Sequence, residues 1–384
     1  MANGIGTDDY MSLVRRLGAT AAFTVRLSLG DADEIAEARD WVEYLNGNSS
    51  TPFGALRAKR LGHAEPYAVR YFYLGNELWQ ERCPRYPRNT SCFSGPSATE
   101  YAAIAKELVT AMQAASPTPL RLLTAMSANP NDGWDKAWID AVGPHIYAAS
   151  DHDGYHTQPS TFEAVALTSC AKAPRDIFAS QLRRRRAALD AKGAKHVAIS
   201  ADEWGLGPPW TVAGNFSVAH GIYAAAFLGM STRIAPEVRL AFTNYFEPVN
   251  EGAVYVGPFG TSLTTVGETM ALYAEHAGGT RLNATQHEDL DVLATLHEAE
   301  KASTLLITVA GLNATAWRPR PVVLNLDPPL PEGTSATVVT LTASGLDERS
   351  TFARSTSSAL VGKAGTLSLT VPPFSVVRAS VPVH

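Results

Sequence analysis

The feature that most constrains this chain is a change of texture near residue 280. Before it, apolar runs of strand length alternate with stretches of helical spacing; after it come short alternating runs of Thr, Ser, Val and Leu punctuated by Gly and Pro. Alternation of strand and helix marks a parallel sheet with crossover helices, whereas the later texture marks an antiparallel sandwich. The expected organisation is therefore an α/β domain over residues 1–280 followed by a β-sandwich over residues 281–384. Helices are predicted over 8–17, where Tyr10, Met11, Leu13, Val14 and Leu17 recur at helical spacing before Gly18, and over 33–45, 99–115, 176–191 and 218–230. Strands are predicted over 21–29, 67–74, 120–126, 139–147, 197–201 and 238–246, and in the sandwich over 290–296, 303–309, 321–326, 336–342 and 366–371. With no internal repeat and no low-complexity linker, the sandwich is expected to pack directly on the α/β domain.

Two of the predicted strands end in a carboxylate. The aromatic run Tyr71-Phe72-Tyr73-Leu74 stops at Gly75-Asn76-Glu77, and the run ending in Ser200-Ala201 is followed by Asp202-Glu203-Trp204. In parallel α/β proteins chemistry sits at the C-terminal ends of the strands. A lone Glu after a strand also serves as a charge at a helix N-terminus, so neither residue argues for catalysis by itself. As a pair they do, because glycoside hydrolysis requires two carboxyl groups about 5–5.5 Å apart for retention or about 6.5–9.5 Å apart for inversion.

At these residues the chain resembles the clan A glycoside hydrolases, and most closely the family 51 α-L-arabinofuranosidases. That family carries an acid/base Gly-Asn-Glu after barrel strand 4 and a nucleophile in Asp-Glu-Trp after strand 7. The resemblance extends in order through Gly6-Thr7-Asp8-Asp9-Tyr10, Leu17-Gly18-Ala19, Trp41-Val42-Glu43-Tyr44-Leu45-Asn46-Gly47 and Gly62-His63-Ala64-Glu65-Pro66-Tyr67, and at the far end Pro372-Pro373-Phe374-Ser375-Val376-Val377 is similar to the last sandwich strand. Gly-Asn-Glu is shared by many clan members, whereas the Trp-Val-Glu-Tyr run in register with it is far more particular.

The resemblance implies that Glu203 is the nucleophile, Glu77 the acid/base and Asn76 a partner of the sugar 2-hydroxyl. It also implies that His145 and Tyr147, read as a His-x-Tyr at the end of strand 6, lie in the active site; without it, they are satisfied polar residues at a strand end. Trp204 offers a face to the sugar or packs in the core. One departure is Gly205, where the family commonly has Asn, followed by the proline-stiffened Leu206-Gly207-Pro208-Pro209-Trp210. The activity implied is a retaining α-L-arabinofuranosidase acting on a carbohydrate without metal or other cofactor. The alternatives are a β-xylosidase or β-glucuronidase type of clan A activity, or an inactive sugar-binding chain.

Counting strands against the family's eight-stranded (β/α) barrel assigns 21–29 to strand 3 and 238–246 to strand 8, with Glu77 ending strand 4 and Glu203 ending strand 7. Strands 1 and 2 find no counterpart. The expectation is an incomplete barrel of strands 3 to 8, N-terminally truncated, with open edges at strands 3 and 8 and weak or no activity by itself.

Composition narrows the partners. Of 384 residues 45% are hydrophobic and 18% charged, which suits a packed globular chain. The net charge of −5 argues against nucleic acid, and the one basic run, Arg183-Arg184-Arg185-Arg186, reads as a solvated helix face. No apolar stretch is long enough to cross a membrane. The N-terminal ten residues have no hydrophobic region of a signal peptide, yet sequons occur at Asn48, Asn89, Asn215, Asn283 and Asn313, so the compartment stays open. Cys83 and Cys92 flank a Pro- and Arg-rich loop beside Glu77 and are either bridged or two free thiols, while Cys170 reads as an isolated thiol.

Overall fold

A computed structural model describes residues 5–27, 32–79, 96–127, 133–152, 154–156, 173–206, 217–245, 249, 252–258, 260–299, 303–312, 318–345 and 351–383. They form two compact units, one of Met1–His152 with Arg184–Ser200 and the other of Asp153–Arg183 with Ala201–His384.

The first unit opens with α1 (Thr7–Arg16), β1 (Ala22–Val25), α2 (Ala32–Asn46) and α3 (Pro52–Leu61). It continues through β2 (Tyr71–Leu74), α4 (Ala98–Ala115), β3 (Arg121–Ala125), α5 (Trp134–Val142) and β4 (Ile146–Ser150). Strand β5 (Gly154–His156) belongs to the second unit; α6 (Ala179–Ala191) starts there and ends in the first, and β6 (Ala198–Leu206) does the reverse. Within the first unit the strands pair in parallel with their C-terminal ends in line, Val25 beside Leu74, Leu74 beside Thr124, Ala125 beside Ser150 and Ser150 beside Ser200. Helices α2 and α3 lie between β1 and β2, α4 between β2 and β3, and α5 between β3 and β4, as a parallel sheet demands.

The Trp-Val-Glu-Tyr run is scaffolding for β2. Asn46, fully buried, donates from Nδ2 to the Val69 carbonyl at 2.7 Å and accepts the Val69 N–H at 2.7 Å, so one side chain replaces a ladder partner just before the strand begins. Arg57 of α3 is also fully buried. Its guanidinium donates to the carbonyls of Tyr44, Gly47 at 2.8 Å, Ala64 at 3.0 Å and His63 at 3.1 Å. Tyr44 and Tyr67 both donate to Asp8, at 2.7 and 2.8 Å, and burial with the Asp8 contact pushes the Tyr44 hydroxyl up to about 12. Helix α3 was not expected from the sequence; Thr51 caps it, Pro52 starts it and Gly62, at φ +66°, ends it.

In the second unit β5 runs parallel to the end of β6, and β7 (Leu240–Tyr245) also pairs with β6. The strands β1, β2, β3, β4, β6 and β7 answer to the six expected strands 3 to 8. Helix α7 (Val218–Val238) is apolar on most sides and buried along most of its length. A hairpin of β8 (Val254–Gly257) and β9 (Gly260–Leu263) leads to α8 (Thr265–Ala274).

From β10 (Thr280–Arg281) onward the pairing is antiparallel. The strands are β11 (Leu290–His297), β12 (Ser303–Gly311), β13 (Arg320–Asn325), β14 (Ser335–Thr342), β15 (Ala353–Leu360), β16 (Thr366–Val371) and β17 (Val376–Val383). One sheet has the order β10-β11-β12-β17-β14-β15 and the second is β13-β16. Val309, Val377 and Ala336 of the first meet Leu367, Leu369 and Val371 of the second in one apolar core, the packing of a sandwich. Strand β15 has no sequence signal because its Ala-Arg-Ser-Thr-Ser-Ser-Ala-Leu is nearly all exposed; it forms by pairing with β14 along eight residues.

Two expectations are corrected here. The predicted strand over 139–147 is mostly helix, because Trp134, Trp138, Ile139 and Val142 form one buried helical face in α5, and β4 starts only at Ile146. The arginine run is not a solvated face either. Arg183 and Arg184 are exposed, but Arg185 and Arg186 are buried, the latter donating to the carbonyls of Val197 at 2.6 Å and Ala194 at 3.0 Å. Among the described residues no helix is long and apolar enough to cross a membrane.

Candidate active site

Glu77 stands three residues beyond β2, in a turn made possible by Gly75. At φ +79° Gly75 lies in the left-handed region, and a Cβ there would come 2.4 Å from the Leu78 side chain. Its N–H donates to the Val25 carbonyl at 3.1 Å, which ties the turn to the neighbouring strand. Glu77 itself has φ +50°, unusual for a residue with a side chain, and such strain persists only where the surroundings impose it. Asn76, at the apex, is exposed.

One partner of Glu77 is His152, which the sequence reading missed. His152 follows β4 by two residues, and its Nδ1 lies 2.9 Å from Glu77 Oε1 while its Nε2 lies 3.0 Å from Ser150 Oγ. The imidazole is largely buried and the carboxylate about a quarter exposed. Both ring nitrogens are engaged, so the protons are arranged by the state of Glu77. When the carboxylate is ionised, Nδ1–H donates to it and Nε2 accepts the Ser150 hydroxyl; when Glu77 is protonated, its O–H donates to Nδ1 and the ring donates to Ser150. A carboxyl so placed keeps a hydrogen-bond partner in both of its protonation states.

The misplaced strand start explains the miss. His145 precedes β4, is exposed, and has its Nδ1 3.4 Å from Gln113 Nε2. Tyr147 is the second residue of β4, at the N-terminal end, with the Arg121 guanidinium 4.7 Å from its ring centroid and the Tyr71 ring 6.0 Å away. Arg121 and Tyr71 are the first residues of β3 and β2. His145 and Tyr147 therefore belong to the opposite end of the strands from Glu77. The available signal was the polar triplet Ser150-Asp151-His152 that closes the apolar run Ile146 to Ala149.

In the second unit Glu203 lies within β6 rather than after it, half-buried, between a buried Asp202 and a buried Trp204. Strand alternation puts Glu203 and Trp204 on opposite faces. The Trp204 ring stacks on Phe227 at 4.0 Å and 6° and meets Tyr245 edge-on at 5.0 Å, with no exposed surface. That corrects its expected role as a sugar platform: a ring covered on its face by α7 packs the core. Gly205 makes room for Tyr245, whose ring would lie 3.3 Å from a Cβ at that position. Cys83 and Cys92 lie outside the described residues.

The α-L-arabinofuranosidase 1 domain model matches residues 1–166, a stretch that holds both Glu77 and His152. Among curated proteins, a probable α-L-arabinofuranosidase C of Aspergillus fumigatus is 42% identical over 77 residues, 20% of this chain and 14% of its own length. A protein of the same name from Aspergillus terreus is 26% identical over 268 residues, 60% of this chain and 46% of its own length. This chain thus spans less than half of either relative. The α-L-arabinofuranosidase of Thermotoga maritima, solved as an arabinose complex, superposes with a TM-score of 0.79 at 22% identity, covering all of this chain and 80% of that one. The fold is the barrel-and-sandwich type of that structure. The domain match covers the first 166 residues, and with the ordered motifs the chain is similar to the family 51 α-L-arabinofuranosidases.

Proposed function

We propose that this chain carries the catalytic carboxylates of a retaining α-L-arabinofuranosidase, with residues 1–280 as the catalytic region and residues 281–384 as its sandwich. The single observation that supports it most is the Glu77–His152 contact of 2.9 Å at the end of β2, where the family motif places the acid/base. Glu203 attacks the anomeric carbon while protonated Glu77 gives its proton to the departing glycosidic oxygen. The negative Glu203 favours the protonated form of Glu77 before attack, and formation of the glycosyl ester removes that charge. Glu77 is then ionised, His152 donates to it, and it takes a proton from the incoming water. Asn76 binds the sugar 2-hydroxyl, and no cofactor is required. The relative from Thermotoga maritima was solved with arabinose, which favours an arabinofuranoside as the substrate class.

Assay of the chain with aryl arabinofuranoside, xyloside and glucuronide tests the reading. The expected result is turnover of the arabinofuranoside that disappears in Glu203→Ala. Preference for another sugar, or turnover that survives Glu203→Ala, overturns it.

A further inference from the structure

His152 meets Glu77 only because the chain just after β4 is held in place, and the fastening is a buried ion pair on the other side of the sheet. Residues 150 to 152 continue the extended course of β4: the Asp151 N–H donates to the Ser200 carbonyl at 2.7 Å, adding one rung beyond the last strand pair. Alternation along this extension turns Ser150 and His152 to one face and Asp151 to the other. There Asp151 meets Arg185 of α6, Nε to Oδ1 at 3.2 Å, with side chains only 4% and 3% exposed. The neighbouring strand end is fastened in a similar way. Asp135 of α5 accepts the Ser127 N–H at 3.1 Å just past β3, its carboxyl is raised by burial, and Arg185 and Lys192 act on it in the opposite sense.

A buried ion pair contributes little net stability compared with apolar side chains of similar size, so its presence points to a job other than stability. We propose that Arg185 and Asp151 are positioning residues for the acid/base: the pair fixes the β4 extension so that His152 Nδ1 stays on Glu77. The inference rests on the reading of Glu77 as the acid/base, but its first test does not require turnover. The geometry has a direct consequence. Asp151 is covalently next to His152, so release of its carboxylate frees the peptide that carries the imidazole, and a shift of about 1 Å breaks a hydrogen bond of this length. Glu77, already in an unfavourable backbone region, then loses the contact that accompanies it.

The experiment uses the whole chain with nitrogen-15-labelled histidine at neutral pH, with the His152 ring signals assigned by their loss in His152→Phe. Wild type is expected to show a low-field proton in the Nδ1–Glu77 hydrogen bond, borne by either partner and slowed in exchange by that bond. The double variant Asp151→Leu/Arg185→Met removes both buried charges together and is expected to fold. In it the proton of the Nδ1–Glu77 bond should exchange about tenfold faster or vanish, while the signals of the other histidines stay in place. Arg185→Lys keeps the ion pair and should preserve the signal. Should the double variant fail to fold, Asp151→Asn gives the same readout. An unchanged His152 proton in a folded variant without the pair overturns the proposal. Where turnover is measurable, the variant should lose about tenfold in kcat on poor leaving groups and little in KM, and an equal loss for all leaving groups counts against positioning. Absence of turnover in wild type would defeat the glycosidase reading while leaving the histidine result intact.

Discussion

The two carboxylates proposed for catalysis are built in opposite ways. Glu77 sits in a strained turn at φ +50°, beyond a four-residue strand whose approach is clamped by polar side chains, Asn46 on Val69 and Arg57 on four carbonyls. Glu203 sits inside a nine-residue strand held by aromatic packing, Trp204 stacked on Phe227 and edge-on to Tyr245. The difference suits the two roles. A nucleophile forms and breaks one bond at one position, which a continuous strand fixes without adjustable partners. An acid/base gains and loses a proton in each turnover, and His152 with Ser150 can reverse its donor and acceptor roles to follow it.

The largest expected effect separates these roles directly. Glu203→Ala should lose more than about 10³-fold in kcat on every substrate. Glu77→Ala should lose about 10²–10⁴-fold on substrates with poor leaving groups and much less on activated aryl glycosides, with azide restoring turnover. Steady-state kinetics over a series of leaving groups checks it, and identical behaviour of the two variants would erase the distinction.

Next come the clamps. Trp204→Ala should cost about 3–5 kcal/mol, since it empties a stacked, fully buried site. Asn46→Ala strands the N–H and C=O of Val69, a loss of about 2–4 kcal/mol for two buried backbone groups. Chemical denaturation measures both. The contrast sharpens if the Asn46 variant also lowers activity in its folded fraction, because it acts on the strand that carries Glu77.

A third test uses acid, because the second unit holds two buried neutral histidines. Burial lowers His220 to about 4; burial, and then the charge of His297, lowers His276 to about 4, with its ring nitrogens 2.7 and 2.8 Å from the Thr295 and Thr308 hydroxyls. A folded-state value below the unfolded 6.5 means that the unfolded chain binds more protons between them. Stability from these groups is therefore complete above about pH 6.5 and falls progressively toward pH 4, by up to about 3 kcal/mol for each histidine. Thermal melts from pH 7 to 4 should show that decline, and His276→Gln should flatten it. A pH-independent melting temperature across this window would remove the histidines from the account.

The smallest expected effect is at the turn. Gly75→Ala should cost about 1–2 kcal/mol from its left-handed φ and the clash with Leu78, which can shift its side chain in part. It should also reduce turnover more than stability, because Glu77 moves with the turn. A neutral effect on both would mean that the turn is not what places Glu77.

Most element types were legible in the sequence because helical spacing and apolar strand runs are local patterns. The helix over 8–17 and the strands ending at Leu74 and near Tyr245 all formed close to their expected bounds. Failures came where a local pattern was ambiguous. Residues 139 to 142 are apolar enough for a strand, and only the earlier Trp134 and Trp138 complete the helical face that claims them. That single boundary error moved the expected histidine from His152 to His145. Edge strand β15, with almost no apolar side chains, carried no local signal at all.

Sequence by itself determined the order of helices and strands and the passage from parallel to antiparallel pairing near residue 280, and it singled out the family resemblance and the two motif glutamates. These follow from periodicity and from short ordered motifs, which need no knowledge of what lies across the fold. Tertiary structure decided that His152 meets Glu77, that Trp204 is core, and that Arg185 and Arg186 turn inward to Asp151 and to the carbonyls of Val197 and Ala194. Whether a charged or aromatic side chain faces solvent, substrate or core depends on which distant segment covers it. That is set by strand register and helix packing over dozens of residues, and no local spacing encodes it.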